Sequence, residues 1–300
     1  MPIVEADPWR MQYFAGIDCP EEVVIPTDDS LAYALYPRER WIYNKLAVAE
    51  SQGLACGPHG VRPEVFPVFS KPIFNLRGMG AGSRILPDAS HYERHQTPGH
   101  LWMTLLEGEH VSSDAAVVQG QTKWFAHATG VAAGGGTFDY WRVEQGSRPS
   151  LETYCTDWVA KHLPAYTGML NIESIAGRII EVHLRFTDQW PDLYGRGWLQ
   201  AVVALYARGV WQYGGRRPRD GFSAVLFGPH GRRYRHPPES ILAELRRDDQ
   251  VTSLQITFHD DLPPEAHSMP PGGFRLAVVN AWSLAAAQGA RDRLARVLNS

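Results

Sequence analysis

Two alternating stretches around Ala176-Gly177 constrain this chain more than any other feature. In Gly168 to Ile175, the apolar Leu170, Ile172 and Ile175 alternate with Asn171 and Glu173. After Ala176-Gly177, Ile180, Val182, Leu184 and Phe186 alternate with Glu181, His183 and Arg185. Side chains on a strand point to opposite faces with a period of two, so each polar set shares one face while the apolar set backs onto a core. A two-residue loop at Ala176-Gly177 would set Glu173 against Ile180. A three-residue loop, Ala176 to Arg178, sets Glu173 against Glu181 and Asn171 against His183. The odd loop is expected, because a one-residue slip splits the polar set. Two carboxylates directly opposite each other are destabilising. A divalent cation removes that conflict, and a hard cation such as Mg²⁺ prefers carboxylate oxygens plus substrate phosphates. The competing reading is a half-solvated hairpin whose outer face is simply polar.

The chain has 300 residues, enough for two modest domains or one large one with subdomains. Its 44% hydrophobic and 20% charged content is that of a soluble globular protein. A net charge of -3 offers no general attraction to nucleic acid or membrane. Cys19, Cys56 and Cys155 are scattered, which argues against a disulfide framework or a thiolate metal site. The opening MPIVEADPWRMQYFAG lacks a basic stretch followed by an apolar one, and no run approaches the length of a membrane span. A cytoplasmic location is expected.

Along the chain, Glu22 to Pro26 reads as a strand followed by an acidic turn, Thr27 to Ser30. Pro37 opens a helix that ends at Gly53 and carries Lys45. Phe66 to Ile73 reads as a strand bearing Lys71. A glycine-rich turn, Gly78 to Ser83, separates it from the short strand Arg84-Ile85-Leu86. Such a turn lets backbone N–H groups approach a phosphate. It is neither a Walker A loop, because the lysine precedes the glycines, nor a dinucleotide fingerprint, because no helix follows it. His91, His95 and His100 invite a zinc reading, yet the spacing lacks a third ligand, and a polar loop is expected. Leu101 to Ala126 reads as two or three strands, broken at Glu107-Gly108-Glu109 and turning at Gln119-Gly120-Gln121. Gly130 to Gly136 reads as a flexible loop, Leu151 to Leu163 and Gly197 to Tyr206 as helices. Arg216 to Arg219 marks a linker. Beyond it come strands at Phe222–Phe227, Ser253–His259 and Phe274–Asn280, and helices at Ile241–Arg247 and Ser283–Leu298.

This order of parts resembles the ATP-grasp superfamily over roughly residues 40 to 300. Lys45, in Tyr43-Asn44-Lys45, resembles the helix lysine of the family's small lobe, and Lys71, in Ser70-Lys71-Pro72, the strand lysine on nucleotide phosphates. Gly78, Gly80, Gly82 and Ser83 resemble the loop that closes over them. Met103 and Leu105 fall in the interlobe segment whose backbone holds adenine, with Glu107, Glu109 or His110 near the ribose. Glu173, Glu181 and His183 stand at the positions of the metal ligands, and Arg185 ends the Glu-x-Asn-x-Arg strand with His183 in place of Asn. The tail from Phe274 resembles the C-terminal subdomain of biotin carboxylase.

The resemblance implies an α/β (α+β) ATP-grasp fold with two α+β lobes enclosing ATP. Its parts would be a shortened N-terminal segment (1–36), a small lobe (37–100), a large lobe (101–212) and a C-terminal subdomain (213–300) completing the large lobe. The implied activity is a ligase using ATP and Mg²⁺ or Mn²⁺ to join a carboxylate to an amine through an acylphosphate, with Lys71 and Arg185 as catalytic residues. A nucleotide-binding scaffold and a small-molecule kinase are the alternatives on the same fold. With the N-terminal domain cut short, acceptor binding falls to the C-terminal subdomain, a partner, or the second copy of a homodimer.

Overall fold

Capping side chains decide where the N-terminal third of the chain turns. The computed structural model describes residues 7–75, 80, 82–134, 137–215, 219–267 and 273–299. Helix α1 (Pro8–Met11) begins with a proline, whose missing N–H is one that a first turn leaves unpaired in any case. In α2 (Asp29–Leu35) the Asp28 carboxylate accepts from the Ser30 and Leu31 N–H groups, satisfying donors that a first turn otherwise orphans. Thr27 to Ser30 is therefore a helix start. The strand expected at Glu22 to Pro26 is only a bridge at Val24, although Val23 and Ile25 are buried in the core. The single helix expected from Pro37 to Gly53 is two elements, a 3₁₀ turn over Arg40–Tyr43 and α3 (Lys45–Ser51). Asn44 separates them: its side-chain oxygen accepts from the Leu46 and Ala47 N–H groups and starts the helix afresh.

Among the described residues the strands form two antiparallel sheets. The smaller holds β1 (Cys56–Pro58), β2 (Val68–Pro72), β3 (Arg84–Leu86) and β4 (His100–Thr104), in the order β1-β4-β2-β3. Helix α4 (Ala89–Arg94), capped by Asp88, occupies the stretch expected as a polar loop. The larger holds β5 (His110–Val118), β6 (Gln121–Gly134), β7 (Thr137–Val143), β8 (Gly168–Ile175), β9 (Arg178–His183), β10 (Gly221–Gly228), β11 (Val251–Ile256) and β12 (Phe274–Ala281). Its order is β11-β12-β10-β7-β6-β5-β8-β9.

Strand β6 runs through Gly130–Gly134, part of the stretch expected as a loop, by pairing with β7. A Cβ at Gly130 would come 2.6 Å from the Phe138 ring, so the small residue lets the aromatic close over the strand. Strand β10 pairs with β7, so the strands after the linker continue the same sheet. Arg216, Arg217 and Pro218 of that linker lie outside the described residues. Helices α2, α3 and α5 (Pro149–His162) cover one face of β5, β8 and β9. On the other face α6 (Trp198–Arg208) buries Trp198 against Trp190 and Tyr194. Helices α7 (Glu239–Leu245) and α8 (Leu284–Asn299) pack on the β10–β12 end. No described helix is long and apolar enough to cross a membrane.

The β8–β9 register arises from two features acting together. Ile175 pairs with Arg178, so the loop is the two-residue Ala176-Gly177, with φ of 51° and 73°. Alone, this loop would place Ile180 opposite Glu173. A bulge between Ile179 and Glu181 adds one residue, and the strands emerge with Glu173 opposite Glu181 and Asn171 opposite His183. The pairing is the one expected, but the loop is shorter than expected and the bulge supplies the missing residue. Its cause is burial. Ile179, Val182 and Leu184 all enter one core, and the three-residue step from 179 to 182 cannot lie on one face of an unbroken strand.

Ala176 is a left-handed residue that carries a Cβ, which costs about 1 kcal/mol. Ala176→Asn creates the Asn-Gly pair that such turns favour. It is expected to raise stability by about 0.5–1 kcal/mol, read from the urea unfolding midpoint at unchanged slope.

Candidate functional site

The face of the hairpin that carries Glu173, Glu181 and His183 looks into a cavity of about 1010 Å³ between the two sheets. The smaller sheet and α3 contribute Lys45, Lys71, Phe69, Ile85 and Met103 to its lining. The larger sheet contributes His110, Asn171, Glu173, Glu181 and His183, with Arg185 just past the end of β9.

Both lysines are buried and reach across to β9. Lys45, first residue of α3, places its Nζ 2.7 Å from Glu181 Oε1. The Lys71 Nζ donates to the Ile180 carbonyl at 2.7 Å. Ile180 belongs to the bulge, whose backbone is left partly outside the ladder, and Lys71 takes up its oxygen. Burial, together with the nearby charge of Lys45, pushes the Lys71 pKa down to about 8. Glu173 accepts from or shares a proton with His110, whose Nε2 lies 3.0 Å from Oε2. Burial opposes the charge on Glu173, but His110 more than offsets it and the carboxyl is held below its ordinary range. The two facing carboxylates thus each have a nitrogen partner, which relieves their mutual repulsion.

At the strand end Asp29 gathers two basic groups. Its Oδ1 lies 3.0 Å from His183 Nδ1, and its two oxygens accept from Arg185 Nε at 2.9 Å and Nη2 at 3.0 Å. Burial alone would raise the Asp29 pKa. Arg185 and His183 outweigh it and hold the carboxyl well below its usual range. Burial alone would likewise lower the His183 pKa, and Asp29 outweighs it, so the imidazole pKa is raised. Beneath them Asp114 accepts from Asn171 Nδ2, the Thr187 N–H and the Tyr194 hydroxyl, which ties β5 to β8 and to the segment after β9. Burial pushes its carboxyl up to about 6.

The other candidate residues divide. Gly80, Ser83, Met103 and Leu105 line the cavity. Gly82 sits beside His100, where a Cβ would approach Cε1 to 3.3 Å. Gly78 lies outside the described residues. Glu107 and Glu109 are exposed and do not line the cavity; Glu109 pairs with Arg148 at 3.0 Å, and His110 takes the lining position. Asp29, absent from the sequence reading as a site residue, is central to the geometry. Its signal was the Asp28-Asp29 pair at a helix start, where one carboxylate caps and the next is free to point inward.

Glu173 and Glu181 suit a hard divalent cation by donor chemistry, and His183, oriented by Asp29 through Nδ1, presents Nε2 on the Glu181 side at 3.7 Å from Oε1. Among the described residues no cluster of three or more His, Cys, Asp or Glu has the geometry to hold a metal unaided. A cation here would complete its shell with phosphate oxygens and water.

No family model matches the sequence, and no curated protein sequence matches it. Solved structures do match. An L-amino acid ligase from Bacillus licheniformis superposes with a TM-score of 0.65 at 12% identity, over 96% of this chain and 82% of that one. N5-carboxyaminoimidazole ribonucleotide synthetase from Thermus thermophilus gives 0.63 at 13% identity, over 97% and 84%. A carboxyaminoimidazole ribonucleotide synthase from Aspergillus clavatus, solved with ATP, gives 0.62 at 9% identity, over 99% and 91%.

Asp29→Ala is expected to destabilise the protein by about 3–5 kcal/mol, because it leaves the buried His183 and the half-buried Arg185 without their carboxylate. Urea denaturation at pH 7 reads the loss, and a cost under about 1 kcal/mol would show that solvent reaches Arg185 freely.

Proposed function

We propose that this chain, which has the ATP-grasp fold, is an ATP-dependent ligase that activates a carboxylate as an acylphosphate for attack by an amine or similar nucleophile. The observation that carries the reading is one cavity in which two buried lysines from one lobe face two carboxylates from the other. Buried charges are costly unless paired, and a cavity in which pairs of opposite charge meet at its wall offers exchange points for a charged ligand. The similar structures named above include an amino acid ligase and a synthase solved with ATP, which agrees with the same chemistry.

In this reading the apolar wall of Phe69, Ile85 and Met103 receives the adenine. Lys45 and Lys71 act as point charges on the phosphates. Gly80 and Ser83 lie where the glycine loop would cover them. Glu173, Glu181 and His183 would hold Mg²⁺ or Mn²⁺, which supplies charge neutralisation at the phosphate oxygens. The acceptor carboxylate oxygen attacks the γ-phosphorus and ADP leaves. The nucleophile then attacks the acyl carbon, a C–N bond forms, phosphate leaves with the electron pair of the broken C–O bond, and the proton lost from the amine nitrogen goes to the departing phosphate. Arg185, held in place by Asp29, stabilises negative charge on the transferred group. The work is mostly positioning and electrostatics.

The triphosphate must exchange partners with groups already in place. Lys45 leaves Glu181 for a phosphate, and the freed carboxylate becomes available to the cation. Metal should therefore bind with nucleotide rather than before it.

The decisive assay is ADP release with ATP, a carboxylate panel and an amine panel. A ligase requires both acceptors; release with one acceptor alone indicates a kinase, and dependence on neither indicates a binding protein. Glu181→Gln is expected to reduce turnover by roughly 100-fold or more, with the circular dichroism spectrum unchanged. Full activity in that variant would remove Glu181 from the site.

Lys71 provides a pH test. Its pKa in the free protein is about 8, and a bound triphosphate favours the charged form, so the bound pKa is higher. Between the two values binding takes up a proton, and affinity falls as pH rises above about 8. Calorimetric titration of a nonhydrolysable ATP analogue slightly above that pH, in buffers of different ionisation enthalpy, should show uptake in the wild type and none in Lys71→Met.

A further inference from the structure

The cavity extends beyond Arg185, along the segment that follows β9, to an end built from α1, β12 and the residues after β11. Three guanidinium groups gather there. Arg185 is bound through two nitrogens by Asp29. Arg10, from α1, is paired with Asp188 at 2.6 Å and Asp7 at 2.7 Å. Arg275, near the start of β12, is different. Its one ion-pair contact among the described residues is with Asp188 at 3.9 Å, and its side chain makes no hydrogen bond among them.

Asp188 serves Arg275 weakly: the Oδ2 that accepts from Arg10 Nε at 2.6 Å is the same oxygen that Arg275 approaches only to 3.9 Å. Asp7 is also shared, between Arg10 and His259 Nε2 at 3.1 Å. Arg275 is therefore a cavity-lining guanidinium with donors to spare. Burial lowers its pKa, and the neighbouring charges of Arg10 and Arg185 act in the same direction against Asp188. An incoming anion would relieve this. The same end of the cavity carries an apolar and aromatic wall, Trp9, Phe227, Leu262 and Phe274, beside Thr257, His259 and His267.

We propose that Arg275 anchors a carboxylate of the acceptor, and that the acceptor carries a single negative charge beside a compact apolar body. This rests on the ligase reading above and specifies its substrate class. The charge count sets the limit. Three arginines face Asp7, Asp29 and Asp188, and two of the arginines are already satisfied. One underpartnered guanidinium matches one carboxylate, whose planar pair of oxygens fits its fork. A phosphorylated acceptor would bring a second charge into a site whose other two arginines are already paired, with only the imidazoles of His259 and His267 beside them. The apolar wall would stabilise the body by removing its apolar surface from water. The short N-terminal segment takes part: Arg10 withholds Asp188 from Arg275, and Trp9 forms part of the wall.

The test is calorimetric binding of 3-phenylpropionate and of 2-phenylethyl phosphate to the full-length protein, with and without a nonhydrolysable ATP analogue. Wild type should bind the carboxylate at least about 10-fold more tightly than the phosphate, a ratio on the order of one satisfied charge-assisted contact. Arg275→Gln should weaken carboxylate binding by about 10- to 100-fold, and Arg275→Lys, which restores the charge but not the planar fork, should recover only part of it. If the Gln variant fails to fold, Arg275→Met replaces it, matching length without charge. Tighter binding of the phosphate, no saturable carboxylate binding to wild type, or equal carboxylate affinity in the uncharged variant would each overturn the assignment. The ATP-analogue titration is separate: if the analogue fails to bind, the ligase reading falls, while the affinities for the two acids still decide the role of Arg275.

Discussion

One inserted residue between Ile179 and Glu181 governs the rest of the site. Without it, the two-residue turn at Ala176-Gly177 would turn Ile180 toward Glu173 and split the polar set between two faces. With it, Glu173 and Glu181 face one cavity, His183 follows Glu181 on the same side, and Ile179 still reaches the core with Val182 and Leu184. The bulge also leaves the Ile180 carbonyl in reach of Lys71. A packing requirement in the core and a charge arrangement in the cavity thus have a common cause.

The cavity concentrates charge and balances it locally. Lys45 neutralises Glu181, His110 partners Glu173, and Asp29 holds both His183 and Arg185. Each pair is short enough to offset part of the burial cost, and each is an exchange point for a charged ligand. The lysines come from the part of the chain that builds the smaller sheet, and their partners on β9 come from the larger one. The same contacts therefore tie α3 and β2 to β9. At the far end the balance is incomplete, because Asp188 is divided between Arg10 and Arg275.

The N-terminal segment is part of the core as well as of the cavity. Phe14, Val23 and Ile25 enter the main core, and Tyr13 lies in a buried polar network with Gln255 and Ser253 of β11. Residues 7–35 therefore pack on the larger sheet and contribute Trp9, Arg10 and Asp29, among others, to the cavity.

Period-two alternation was enough to place β8 and β9 and to set Glu173, Glu181 and His183 toward one face, whereas β12, also expected as a strand, is buried nearly throughout and carries no such pattern. The amphipathic helices α5, α6 and α8 were legible for the corresponding reason at helical period. Composition alone could not reveal the single bridge at Val24, the break at Asn44, or the extension of β6 through Gly134, since each depends on which neighbour is available to accept or donate. The same holds for Asp29, 156 residues from Arg185 in sequence, and for the shared Asp188. Local sequence determined which side chains share a face. Only the tertiary structure decided which charges meet, because an ion pair is set by distance in space and by the burial that removes competing water.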